Sequence, residues 1–326
     1  MNILNDYDTA AAYTSHLNFG TSISYNENMI PIRANAGNVI VERDTSGKPH
    51  RGKVFAVIQA HMDDVPLYCS GTCTKLIKEG YTGYLVRTSN DDKCSNERTA
   101  NNILSSEREN KKVAETIGFS DVFDLYYDNY RLNGRSPIDI SGRLIFILRY
   151  IKADMVISIN PWGLGEKNPD HWVTARAVEE ASWMAGIKNN YGEHILGGIE
   201  PHIVSEQYYM TVHPGQPFNR VVDIGSTIEQ KIDAITACKS RGTGSLGSML
   251  KSKLSREGKR LPILGDSDDT ADRAYVKEFI MPEYSSFDGI RQHGLEYAER
   301  FYYLDNRKPD RVLKVEEYIK QHTVKM

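Results

Sequence analysis

Cysteine is scarce: only Cys69, Cys73, Cys94 and Cys238 occur among 326 residues, too few and too scattered for a disulfide framework. Long apolar runs are missing as well, and none approaches the roughly 20 residues that a membrane-spanning helix needs. The stretch Met1–Phe19 has neither a basic leader nor an apolar core, so no signal peptide is expected. Nor does charge of one sign dominate. With 40 basic against 43 acidic side chains the net charge is −3, which argues against general nucleic-acid binding and leaves room only for a local basic patch. These absences describe a soluble globular chain, long enough to bury a full core, with the cytoplasm as its expected location.

What is present begins with Val54-Phe55-Ala56-Val57-Ile58-Gln59, followed at once by Ala60-His61-Met62-Asp63-Asp64. A short apolar, β-branched run bounded by polar residues reads as a buried strand of a parallel sheet. In open α/β sheets ligands bind just beyond the carboxyl ends of the strands. His61, Asp63 and Asp64 therefore stand where chemistry is usually done. An ordinary strand-to-helix turn with a capping Asp fits the same residues.

Residues 1–51 are polar, with weak strand signals at Met29–Ile32 and Asn38–Glu42, and read as an extension packed on a main domain of residues 52–326, adding at most a hairpin strand. Pro66 suits a first helical turn and Gly80 the residue past a helix end. The strand Tyr84–Thr88, helices over about 97–117 and Ile138–Lys152, the strand Met155–Ile159 and a helix over about Trp172–Gly186 follow in alternation. Such alternation predicts a doubly covered α/β fold, a mostly parallel sheet with helices on both faces. Further on, Arg220–Ile224 reads as extended and about Thr227–Lys239 as an amphipathic helix. The Gly-, Ser- and Lys/Arg-rich stretch 240–272 reads as a long loop, and about Phe287–Tyr303 as a closing helix.

The loop Asn160–His171 brings a second histidine and carboxylate beyond a strand end. His61, Asp64 and His171 would make the three-ligand set of a catalytic zinc, or of another divalent ion, with one position open to water. Such an ion acidifies water and polarises a carbonyl, and Asp63 could then serve as general base. The bland alternative makes His171 a capping residue and Asp170 a loop anchor. Cys69 and Cys73 share a helix face but have no partner pair, so packing is expected rather than metal binding. Trp162 and Trp172 flank the second cluster, where stacking on a sugar ring competes with a core or anchoring role. The basic residues from Lys239 to Arg260 could cradle a phosphate, although a solvated loop explains them equally. His213, ahead of Pro214-Gly215, is read as a satisfied loop histidine or a group facing the site.

These motifs resemble the PIG-L/LmbE-like deacetylases. Ala60–Asp64 with Ser70-Gly71-Thr72 and Gly80 is similar to their A-H-P-D-D…G-G-T…G signature. Thr88–Asp91 resembles T-D-G-D, Asn168–His171 resembles H-P-D-H, and Val222-Asp223-Ile224 with Lys231–Ile235 resembles V-D-I…K-x-x-A-L. The resemblance covers about residues 52–240 in consistent order. It implies a Rossmann-like fold and zinc-dependent removal of an N-acetyl group from an amino-sugar derivative or related amide; the basic residues from Lys239 to Arg260 would suit a substrate linked to a nucleotide or lipid. By the same resemblance His61, Asp64 and His171 are metal ligands, Asp63 is the base and Asp170 supports the site. Three positions depart from the pattern. Asn168 replaces the first histidine of H-P-D-H; an amide can still donate to an oxyanion, but it supplies no proton, which leaves Glu166, Lys167 or His213 as candidates. Ser106 stands where the family often has arginine, with Arg108 two residues on. Ala237–Arg241 replaces A-H-x-S-Q. Trp162, Arg108 and His213 are accordingly the expected substrate contacts, and the departures allow a second reading, a metal- or sugar-binding relative with little hydrolytic activity. An amidase for a non-acetyl amide is a third. An oligomer is compatible with everything above.

Overall fold

A computed structural model describes residues 39–213, 215–285, 293–306 and 310–324. The strands are β1 (Ile40–Glu42), β2 (Val54–Gln59), β3 (Thr82–Ser89), β4 (Asp121–Tyr127), β5 (Met155–Ile159), β6 (Glu206–Met210), β7 (Arg220–Asp223) and β8 (Ala298–Asp305). The helices are α1 (Asp64–Tyr68), α2 (Ser70–Lys78), α3 (Thr99–Ile117), α4 (Pro137–Ile151), α5 (Pro169–Met184), α6 (Gly192–Leu196), α7 (Ile228–Thr236), α8 (Leu246–Arg256), α9 (Asp268–Tyr275), α10 (Met281–Tyr284) and α11 (Asp310–His322).

The strands form one sheet in the order β1-β7-β8-β6-β5-β2-β3-β4. All neighbours run parallel except at β8, which is antiparallel to both β6 and β7. Alternation along β2 sets the two faces. Phe55 and Val57 pack with residues of α2 and α3 on one side, Ala56 and Ile58 with residues of α4 and α5 on the other. Full burial of Phe55, Val57 and Ile58 stabilises by roughly 1.5–3 kcal/mol per side chain, so the strand leading to His61 is held from both faces. Among the described residues no helix is long and apolar enough to cross a membrane.

The expected α/β architecture is present, with corrections of detail. The stretch 240–272 is not a loop: α8 fills Leu246–Arg256, and α9 begins at Asp268. Gly247 serves close packing rather than freedom, since a Cβ there would lie 1.9 Å from the Ala271 carbonyl oxygen. The closing helix is also wrong where it can be seen. Residues 286–292 lie outside the described residues, and Ala298–Asp305 is a strand paired with both β6 and β7. Its pattern was obscured by Glu299, a charged residue that is fully buried because Lys231 Nζ sits 2.5 Å from its Oε1. The strand signal near Glu42 is β1, yet it joins β7 in parallel rather than forming a hairpin; Met29–Ile32 lies outside the described residues. The helix expected from Pro66 begins earlier, at Asp64, and is interrupted at Cys69, whose φ is −149°. Strands β4 and β6 had not been anticipated. Cys69 and Cys73 are buried in the core with their sulfurs 3.8 Å apart.

Candidate active site

The strand order reverses between β2 and β5: β3 and β4 lie on one side, β6 on the other. Such a switch point opens a crevice at the carboxyl ends of the two strands. His61 follows β2 directly, and His171 enters from the β5 side in the first turn of α5, which begins at Pro169 rather than at Trp172. His61 Nδ1 and His171 Nε2 face each other at 3.1 Å. Asp64 Oδ1 lies 3.3 Å from His171 Nε2, and one ligand atom from each of the three residues falls within 4.8 Å of the others.

Each donor is oriented from behind. Asp64 Oδ2 accepts the backbone N–H groups of Ala60 and His61 at 2.9 Å, which turns Oδ1 toward the histidines. His61 Nε2 lies 3.2 Å from Asp170 Oδ2 and 3.0 Å from Asn129 Oδ1. His171 Nδ1 lies 3.0 Å from Glu166 Oε2. In the neutral rings, acceptors at those nitrogens would hold the protons on the outside and free His61 Nδ1 and His171 Nε2 as lone-pair donors aimed at one point. A histidine backed by a carboxylate is the usual support of a metal-ligating imidazole. The donor set of two imidazoles and one carboxylate therefore fits a zinc ion or a similar divalent cation.

The charges agree with that fit. Burial disfavours a charged His171, but Asp64 and Glu166 outweigh it and raise the imidazole to about 10. Burial also opposes ionisation of Glu166, yet its bonds to His171 and His213 lower it to about 2. Asp64 is pulled well below its usual range against the same burial, chiefly by His171. The pocket favours positive charge between its carboxylates.

Asp63, beside these ligands, is buried. Burial pushes its carboxyl up, with Arg241 acting against the rise. Arg241 Nε approaches Asp63 Oδ1 at 2.6 Å, and the Thr243 hydroxyl lies 3.3 Å from Oδ2. Asp91 ties the first cluster to the rest: its Oδ2 accepts from the Met62 N–H, the Ser106 hydroxyl and Arg87 Nη1, and its Oδ1 meets Arg241 Nη1 at 2.8 Å.

The other expected site residues fall in several places. Asp170 is fully buried behind His61 and also accepts the N–H groups of Tyr130 and Leu132. Asn168 is the N-cap of α5, its side-chain oxygen accepting the Asp170 N–H at 3.0 Å. His213 joins the cluster through Glu166, 3.3 Å from its Oε2. Trp162 packs edge-on against Tyr209 and Tyr302, and Trp172 is exposed on α5. Arg108 is not brought to the site: it is exposed on α3, bonded to Leu104 and Ser105 of its own helix. Asn129 beside His61 and Arg241 beside Asp63 are not marked by any motif in the sequence. Asn129 follows an unanticipated strand, and Arg241 stood in a stretch read as loop. A groove of about 430 Å³ between α3, α7 and α9 contains none of the histidine-site residues.

A profile of the PIG-L family, described as GlcNAc-PI de-N-acetylase, matches residues 56–182. A diacetylchitobiose deacetylase from Thermococcus kodakarensis is 26% identical over 193 residues, 58% of this chain and 70% of that protein. Among solved structures, the N,N'-diacetylchitobiose deacetylase from Pyrococcus horikoshii, complexed with its inhibitor, is similar with a TM-score of 0.61 and 20% identity, over 78% of this chain and 84% of that one. The 4-carboxy-2-hydroxymuconate hydratase from Pseudomonas putida is similar with a TM-score of 0.53 and 18% identity, over 79% of this chain and 98% of that one. At such identities the structural likeness speaks for the fold alone. The family match runs from β2 to α5 and takes in His61, Asp63, Asp64, Asp91, Asp170 and His171, so it is residues 56–182 that match the PIG-L family.

Proposed function

We propose that this protein is a metal-dependent hydrolase that removes an N-acetyl group from an amino-sugar derivative. The observation that carries the reading is the convergence of His61, Asp64 and His171, two of them backed by carboxylates, beside the unligated carboxylate of Asp63. A bound zinc ion would supply Lewis acidity toward the acetyl carbonyl and acidify water. The curated relative named as a diacetylchitobiose deacetylase supports a small acetylated sugar as substrate. Zinc as the resident ion, a nucleotide or lipid link on the sugar and a cytoplasmic location belong to the same proposal.

In this reading Asp63 takes the proton of the attacking water. A carboxyl raised by burial is a better base near neutral pH than an exposed one. With no histidine at 168, Asp63 in this reading also hands that proton to the departing amine, in place of Glu166, Lys167 or His213. Asn168 acts through Asp170, whose N–H it caps, and Asp170 in turn orients His61. Glu166 does the same for His171.

The test is amine release from N-acetylglucosamine derivatives by zinc-loaded protein, with and without chelator, beside Asp63→Asn. The variant should keep its zinc and lose about 10²–10⁴-fold in turnover, the span of general acid–base catalysis. An unchanged rate removes Asp63 from the mechanism. Bound zinc without release from any N-acetyl amino sugar would refute the substrate class. Because a hydratase shares the fold, this assay and not the architecture decides the reaction.

A further inference from the structure

Arg241 belongs to none of the metal-ligand residues, and it comes from the segment between α7 and α8. It is 9% exposed and lies against two carboxylates at once: Nη1 donates a hydrogen bond to Asp91 Oδ1 at 2.8 Å, and Nε makes a charge contact with Asp63 Oδ1 at 2.6 Å that is not aligned as a hydrogen bond. Asp91 does not float. Its other oxygen is 2.9 Å from Arg87 Nη1, and Arg87 Nε is 2.6 Å from Asp124 Oδ1 on β4. The result is an alternating row, Asp124–Arg87–Asp91–Arg241–Asp63, that runs from the sheet to the edge of the metal site. Arg87 and Asp91 are fully buried, where such pairs are held rigidly because separation would leave an uncompensated charge.

The segment carrying Arg241 is fixed from a second direction. Glu109 of α3 accepts the Ser240 N–H and hydroxyl at 2.9 and 2.8 Å. Gly244 lets the turn lie against the end of α7, where a Cβ would meet the Ile235 carbonyl oxygen at 2.6 Å. The guanidinium is thus positioned by the fold and not by the substrate. Only a planar fork can address two carboxylates from two nitrogens in this way; an ammonium is a single point charge. Asp63 follows a tight strand-to-helix corner and has no carboxylate-fixing backbone bond like that of Asp64.

We propose that Arg241 is a positioning residue for hydrolysis, a clamp that fixes the Asp63 carboxylate against the metal site through its bond to Asp91. This rests on the hydrolase reading above. By it, Asp63 is catalytic, and Arg241 acts through Asp63. The clamp holds one oxygen of Asp63 and leaves the carboxylate's orientation no freedom to swing toward Asp64 or solvent. Loss of such orientation lowers turnover without changing affinity for the ground state.

The experiment compares the parent with R241K, R241Q and R241A on the substrate the parent hydrolyses, reading kcat, KM and zinc per chain. The clamp predicts a fall in kcat of about tenfold or more in R241K and about a hundredfold in R241Q, with KM within about threefold and zinc content unchanged. It also predicts that added guanidinium ion raises the kcat of R241A, an effect no general loss of folding would produce. R241K keeps charge and size and carries the decision if R241A fails to fold. A kcat within twofold of the parent in R241K and R241Q would overturn the clamp. So would a raised KM at constant kcat, which would make Arg241 a substrate ligand instead, and so would the absence of guanidinium rescue in folded R241A. A zinc-loaded parent that releases no amine is a different result: it overturns the hydrolase reading, and the clamp's catalytic role with it.

Discussion

Glu166→Gln separates orientation from ligation at the histidine site. Glu166 Oε2 is shared by His171 Nδ1 at 3.0 Å and His213 Nε2 at 3.3 Å, while Oε1 accepts the Asn168 N–H at 2.8 Å. Glutamine keeps the shape but replaces a charged acceptor by a neutral one. A hydrogen bond to a charged group is worth about 1.5–3 kcal/mol against about 0.5–1.5 for a neutral one. The difference of roughly 1.4 kcal/mol corresponds to tenfold in affinity, and measured losses for such supporting carboxylates run from about 10- to 100-fold. A second effect opposes the first. The same carboxylate helps raise His171 to about 10, so near neutral pH the metal must displace a proton that Glu166 stabilises. Removing the charge eases that displacement. The net loss of zinc affinity should therefore be only a few-fold near pH 6.5 and should grow toward about 10–100-fold as pH approaches and passes about 10, where the His171 proton is lost anyway. Competition with a chromophoric chelator at a series of pH values measures it on metal-free protein. His213→Gln shares the oxygen but not the ligand and should change affinity less than about threefold. A loss that is flat or shrinks with rising pH would refute the reasoning.

Metal-free protein should show a pH optimum of stability set by the same groups. His171 is raised from 6.5 to about 10, so its contribution is complete below about 6.5 and is lost as pH climbs toward 10. Glu166 is lowered from 4.5 to about 2, so its contribution holds above about 4.5 and disappears as pH falls toward 2. Thermal melts should peak between those limits, and a melting temperature constant from pH 6.5 to 9.5 would contradict the His171 assignment. Gly247→Ala drives a methyl into the Ala271 carbonyl, 1.9 Å from the ideal Cβ position, and should cost about 1–3 kcal/mol or more in urea denaturation; a neutral result would show that α8 and α9 can separate without penalty.

The central strands β2, β3 and β5 and the two histidine clusters that follow β2 and β5 were legible because apolar strands and the polar residues that end them lie together in sequence. His61, Asp64 and His171 needed only the rule that strand ends make sites. Asp170 and Glu166 could be placed near them, but which nitrogen each carboxylate faces depends on helix α5 starting at Pro169. Other features were hidden for physical reasons. Strand β8 conceals a buried Glu299 whose partner, Lys231, is 68 residues away. Helix α8 looks like a loop because its Gly247, read as flexible, is there for backbone contact with α9. Arg241 could be counted as a basic residue, but not as the neighbour of Asp63, which precedes it by 178 positions.

Strand β8 also sets an order on assembly. Strands β1 and β7 reach the rest of the sheet only through it, since β8 lies between β7 and β6. A chain still lacking residues 298–305 can pair β4 through β6, but β6 then ends in an open row of unpaired backbone groups, an invitation to other strands. Residues 40–42, near the beginning of the chain, must wait for the same event before their edge is joined to the body of the molecule. Completion of the sheet is thus a late, long-range step, of the kind that slows folding, and the early-synthesised half that carries the histidine site is exposed along that edge until strand β8 arrives.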